Sequence, residues 1–134
     1  MTEEQTATEE PRINASDLIG DFVEKYEVTI RPFLKQGDVR TVQPAINDLL
    51  LRFDMVSRDC VHYPHPQIYA AYRIALTYLR GLTEPEALKI MESEQNRKCY
   101  LNCLDRQVSE LDIAMTSLGG ERYQQYRERF KDAI

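Results

Sequence analysis

Glycine is scarce in this chain, at five residues in 134, and cysteine (three) and histidine (two) are scarcer. So few glycines leave no glycine-rich loop to cradle a phosphate, and no serine sits in a Gly-x-Ser-x-Gly elbow. No paired carboxylates stand apart from ordinary surface charge, and the few thiols and imidazoles cannot furnish an elaborate active site. The chain therefore leans away from an enzyme. Long apolar runs are also missing. None approaches the roughly 18 residues of a membrane span, and the first residues have neither the basic nor the apolar region of a secretory signal. The expectation is a cytoplasmic protein with no membrane partner, whose odd number of cysteines are thiols rather than a disulfide framework. A basic excess is absent as well: the net charge is −5. Glu3, Glu4, Glu9 and Glu10 outweigh Arg12 by three of those charges. The remainder is nearly neutral and offers no general field for nucleic acid.

What the chain does have is helical periodicity. Residues 1–13 hold almost no hydrophobe to offset the entropy of ordering and are expected to be a disordered acidic tail, with 14–134 a single helical domain. After a cap at Asn14 or Ser16, the residues Leu18, Ile19, Phe22, Val23, Tyr26, Ile30, Phe33 and Leu34 recur at helical spacing. Pro32 predicts a kink or an end near Ile30, and Gly37-Asp38 is the next punctuation. A second helix, starting between Asp38 and Thr41, carries Val42, Ile46, Leu49, Leu50, Phe53 and Val56 on one face. Two prolines make the stretch from Ser57 to Pro66 a loop. A third helix from about Gln67 to Leu79 turns Ile68, Ala71, Tyr72, Ala75, Leu76 and Leu79 inward.

Thr83-Glu84-Pro85-Glu86 then has the form of a capping box with Thr83 as the cap. It opens one long helix near 84–118, whose second half spaces Leu101, Leu104, Val108, Leu111, Met115 and Leu118 by threes and fours. Glu92 to Lys98 lacks any strong hydrophobe and is expected to be a solvated, continuous waist. Gly119-Gly120 supplies a stop, and a last helix carries Tyr123, Tyr126 and Phe130. The sum is an all-α bundle of about five helices, with no strand and no internal repeat.

Three sets of residues carry functional expectations. Along the 101–118 stripe, Leu101, Leu104, Val108, Leu111, Met115 and Leu118 form a heptad-like seam that suits a partner helix or a homodimer. This makes a non-enzymatic protein-interaction module, an adaptor, assembly factor or small regulator, the leading expectation. One alternative is a zinc-stabilised domain. Cys60, His62 and His65 in the loop, with Cys99 and Cys103 four apart on a helix, are the sulfur and nitrogen ligands that zinc prefers. The spacing matches no familiar zinc knuckle, and the simpler account makes Cys99 and Cys103 small core residues beside Leu104. A disulfide between them is disfavoured, because thiols on successive helical turns are poorly placed for one. The other alternative is a helix-turn-helix DNA-binding regulator across 84–107. It would use Arg97, Lys98 and Arg106 on a recognition helix, with Glu92 to Gln95 as its turn. Nearby acids make nucleic acid the less expected partner.

Overall fold

The computed structural model describes residues 15–60, 63–118 and 120–131, with the backbone alone at 57–60 and 131. The acidic segment 1–13 lies outside the described residues, as do His62, Gly119, Ala133 and Ile134. Every element among those described is a helix.

The first helix, α1, covers 15–35 and shows how the chain accommodates Pro32. Proline has no amide hydrogen, and its ring crowds the carbonyl one turn back. The helix neither ends nor breaks near Ile30. Instead Tyr26–Ile30 widens into a π turn, in which the Arg31 amide bonds the Tyr26 carbonyl, and Arg31–Lys35 resumes with Pro32 in its first turn. The widened turn keeps Tyr26, Ile30 and Leu34 all within the core. At the end of α1, Gly37 has φ +83, the left-handed conformation that glycine adopts without strain. The Asp38 amide bonds the Phe33 carbonyl and the Gly37 amide bonds that of Leu34, both at 2.9 Å, which is a Schellman closure.

Asp38 also opens the next helix, α2 (Val39–Cys60). Its Oδ1 accepts the Thr41 amide at 3.2 Å and its Oδ2 the Thr41 hydroxyl at 2.6 Å. Those two bonds hold the Asp38 carboxyl below its ordinary pKa. α2 runs four residues further than the sequence suggests, so Ser57 to Cys60 belong to the helix rather than to the expected loop. α3 (Pro66–Gly81) buries Ala71, Tyr72, Ala75, Leu76 and Leu79 as its periodicity requires.

The long element divides. α4 (Pro85–Ile90) is a short helix of its own, and α5 begins at Glu94 and runs to Leu118. Thr83 is not the cap of α4, because its hydroxyl turns back to the Arg80 carbonyl at 2.7 Å while Glu84 occupies the cap position. The waist is therefore broken at 91–93 rather than continuous. Three local features make the break. Met91 is buried at 1 % exposure and anchors the turn. The Ser93 hydroxyl accepts the Asn96 amide at 3.3 Å, starting α5. Arg97 Nη1 then donates to the carbonyls of Met91 and Glu92 at 3.2 and 3.4 Å, satisfying acceptors that α4 leaves open. The last helix, α6, comprises Glu121–Tyr126 and a π turn, Arg127–Lys131.

α5 is the axis of the bundle. It runs antiparallel to α3, with Tyr78 against Tyr100 at one end and Ala71 beside Leu111 at the other. It also runs antiparallel to α1, whose Arg31 reaches Asp105. α2 covers the other side of α1 and α3, where Phe22 and Phe53 both meet the Tyr72 ring edge to face at 5.3 and 5.5 Å. No helix among the described residues is long and apolar enough to cross a membrane.

Candidate functional site

The 101–118 stripe is where the sequence places an interaction seam. Leu101, Leu104, Val108, Leu111 and Met115 are all buried, none more than 7 % exposed, against α1 and α3 of the same chain. Leu118 stands at the end of the stripe and is 38 % exposed. The heptad spacing thus serves the bundle's own core, and those five side chains leave no open seam for a second copy.

The described members of the metal-ligand set are not gathered in one place. His62 lies outside the described residues, as does the side chain of Cys60. His65 precedes α3, its ring 5.2 Å from that of Tyr63, whose hydroxyl meets Ser16 at 2.9 Å. Cys103 lies beside Tyr78, thirteen residues further along. At the helical rise that separation is about 20 Å. Cys99 and Cys103 are free and exposed rather than small core residues. They fall outside the buried stripe because they are out of phase with Leu101 and Leu104. Among the described residues no group of three or more His, Cys, Asp and Glu converges.

The residues set out for nucleic acid are likewise divided. The helix-turn-helix reading requires a break before a second helix, and the break exists. However, Arg97 and Arg106 are nine residues apart, which is about two and a half turns, so they point to opposite sides of α5. Arg106 is exposed on the outer face. Arg97 is turned inward, against Gly37 and the end of α4. Lys98 pairs with Glu94 one turn away at 3.7 Å, both well exposed.

Arg97 and Lys98 belong instead to a groove that is assembled only by the packing of the helices. It lies between the last turns of α1 and the first turns of α5, encloses about 280 Å³, and is lined by Arg31, Lys35, Arg97, Lys98, Leu101 and Asn102 with Glu94 and Asp105. Four cations meet two carboxylates there, a local balance of +2 in a chain of −5. Arg31 is fixed. Its guanidinium forks onto Asp105, Nε to Oδ1 at 3.0 Å and Nη2 to Oδ2 at 2.9 Å, while the buried Tyr26 hydroxyl donates to Oδ1 at 2.7 Å. Burial, reinforced by that bond to Asp105, raises the Tyr26 pKa above the ordinary phenol range. The bond to Asp105 raises that of Arg31 as well. Lys35 is exposed and has no ion pair among the described residues. The groove therefore presents two cations held by internal hydrogen bonds, Arg31 and Arg97, one free lysine, a lysine held loosely by an exposed pair, and the Asn102 amide.

A second cleft of about 310 Å³ lies on the other side of α1, lined by Asp21, Glu24, Lys25, Asp48, Arg52 and Arg122 among others. Its three acids match its three bases. Comparison with known proteins returns no match among family models, curated proteins or solved structures. A sequence signal for the groove did exist: Arg31 and Lys35 stand four apart at the end of one helix, so they share a face. Their meeting with Arg97 and Lys98 is a tertiary event.

Proposed function

We propose that this chain is a non-enzymatic protein-interaction module, an adaptor or small regulator, that receives an acidic segment of a partner protein in the groove between α1 and α5. The observation that supports this is the local +2 balance of the groove against the −5 of the whole. Guanidinium and ammonium groups recognise carboxylates with charge-assisted hydrogen bonds, and the Arg31 fork is already oriented by Asp105. A volume of about 280 Å³ suits a few side chains of an extended segment rather than a folded surface. The interaction is steered by charge and weakens with salt. Its setting, on the odd cysteine count and the free Cys99 and Cys103 thiols, is the cytoplasm. Zinc has no place in this proposal, and neither has a homodimer seam along α5.

The test is fluorescence anisotropy with a labelled peptide that alternates glutamate and leucine, measured at about 50 and 200 mM salt. Lys35→Glu combined with Lys98→Glu inverts the groove to −2 and should weaken binding at least tenfold, with unfolding stability changed by no more than about 0.5 kcal/mol. No binding by the wild type, or equal binding by the variant, overturns the proposal. Labelled duplex DNA is run in parallel. Tighter binding of the duplex, lost in the same variant, would transfer the groove to nucleic acid.

A further inference from the structure

The outer face of α5 carries a second constellation that the groove does not use. Cys99 and Cys103 are exposed, free, and four residues apart on one helix. Side chains at that spacing lie over one another with about 5–6 Å between Cβ atoms. A disulfide needs about 3.5–4.5 Å between the same atoms, so direct oxidation of the pair is strained. An atom bridging the two sulfurs is not. Two metal–sulfur bonds of about 2.3 Å each set the sulfurs up to roughly 4.6 Å apart, a span that two cysteine side chains on successive turns can meet. We propose that Cys99 and Cys103 form a two-coordinate thiolate site for a monovalent soft metal ion, copper(I).

The surroundings suit this ion and not zinc. Zinc asks for four ligands, and no third His, Cys, Asp or Glu converges on the pair among the described residues. Copper(I) is selected by soft thiolate ligands. Binding releases one proton from each thiol to solvent and changes no oxidation state: one copper(I) ion and two thiols give a bis-thiolate copper complex and two protons. That complex carries a single negative charge. Arg106, three residues beyond Cys103 on the same helix and so on a neighbouring face, supplies the compensating cation. The Tyr78 side chain lies beside Cys103. Tyr78 is in turn held by Tyr100, which packs against it edge to face at 5.6 Å and donates its own hydroxyl to the Tyr78 carbonyl. In this site Tyr78 would be a positioning residue, held by Tyr100 next to one ligand.

The experiment titrates the reduced, tag-free full chain with copper(I) anaerobically, in competition with a coloured copper(I) chelator. Wild type and Cys60→Ser should each bind one equivalent as monomers. Cys99→Ser and Cys103→Ser should each lose at least 100-fold in affinity, and Tyr78→Phe about tenfold at unchanged stoichiometry. X-ray absorption of the loaded protein should show two sulfur neighbours. Since both cysteines are exposed, circular dichroism of the serine variants should match the wild type, and Cys99→Ala provides a second variant. Undiminished binding by either single-thiol variant would mean independent thiols and overturn the proposal. So would loss of binding in Cys60→Ser, or copper that joins two chains.

Discussion

Two clefts flank α1, about 310 Å³ on the α2 side and about 280 Å³ on the α5 side, and they handle charge in opposite ways. On the α2 side Arg52 bonds Asp48 at 3.2 Å and Asp21 at 3.8 Å, and Arg122 closes on Asp21 at 3.3 Å. Every cation there but Lys25 is in an ion pair, and the sum is neutral. On the α5 side the acids are outnumbered two to one. Size alone does not make a binding site. What separates the two is charge left over after internal pairing, and that remainder can be changed on each side independently.

Removing one acid from each cleft breaks the comparison most sharply. Asp105→Ala strips Arg31 of its fork and leaves the hydroxyl of Tyr26, itself 1 % exposed, without its acceptor. Bonds to a charged acceptor contribute about 1.5–3 kcal/mol. Arg31 and Asp105 are 39 % and 33 % exposed, so with solvent screening we expect a loss of about 2 kcal/mol. The same change raises the groove to +3 and should tighten acidic-peptide binding severalfold while the fold weakens. Asp48→Ala removes an exposed pair one turn apart, worth no more than about 0.5 kcal/mol, and should leave peptide binding unchanged. Urea unfolding and peptide anisotropy on the two variants decide it. Equal effects from both would show that the clefts do not differ in the way their charges suggest.

Gly37→Ala is the next largest. The left-handed conformation costs a residue with a Cβ about 1–2 kcal/mol, and here the new Cβ would lie 2.7 Å from Arg97 Nη1. The guanidinium can swing aside, but only by giving up its bonds to the Met91 and Glu92 carbonyls. A loss of about 1–2 kcal/mol in urea unfolding is expected, with Arg97 displaced toward the groove. A stability equal to that of the wild type would show that Gly37 is not held in the conformation its closure implies.

Much of this architecture was legible in the chain. The buried stripe from Leu101 to Met115 and the inward face of α3 follow from spacing alone, because periodicity records which side of a helix meets the core. Periodicity does not record what covers that side, so the stripe read equally well as a dimer seam. The same stripe already excluded Cys99 and Cys103 from the core by phase, a signal present but outweighed by the usual burial of cysteine. Pro32 announced a disturbance without its form, since a π turn and a break both answer a missing amide. At 91–93 the cap from Ser93 is local, but Arg97 reaches back from the next helix to close the last carbonyls of α4, and no propensity encodes that. The groove needed Arg31 and Lys35 to meet residues more than sixty positions away. Only the packing of α1 on α5 brings them together.

The smallest effect concerns Asp21, which tests the neutral cleft from inside. Its carboxylate is largely covered, and desolvation outweighs the attraction of Arg122 and Arg52, with Asp17 adding a lesser repulsion, so its pKa stands above the ordinary 3.8. A carboxyl whose native pKa is raised binds its proton more tightly folded than unfolded. The native state is then penalised at pH values above that raised pKa, and the penalty disappears as pH falls below 3.8, where both states are protonated. Asp21→Asn removes the titration, so relative to the wild type it should gain more at neutral pH than in acid. Two paired unfolding series, one near neutrality and one below the ordinary carboxyl pKa, measure the difference between the variant and the wild type. A difference that does not change with pH would show that attraction and desolvation cancel, and one that is larger in acid that the arginines hold Asp21 ionised after all. In the latter case the α2-side cleft is a site of net electrostatic attraction and not one dominated by desolvation.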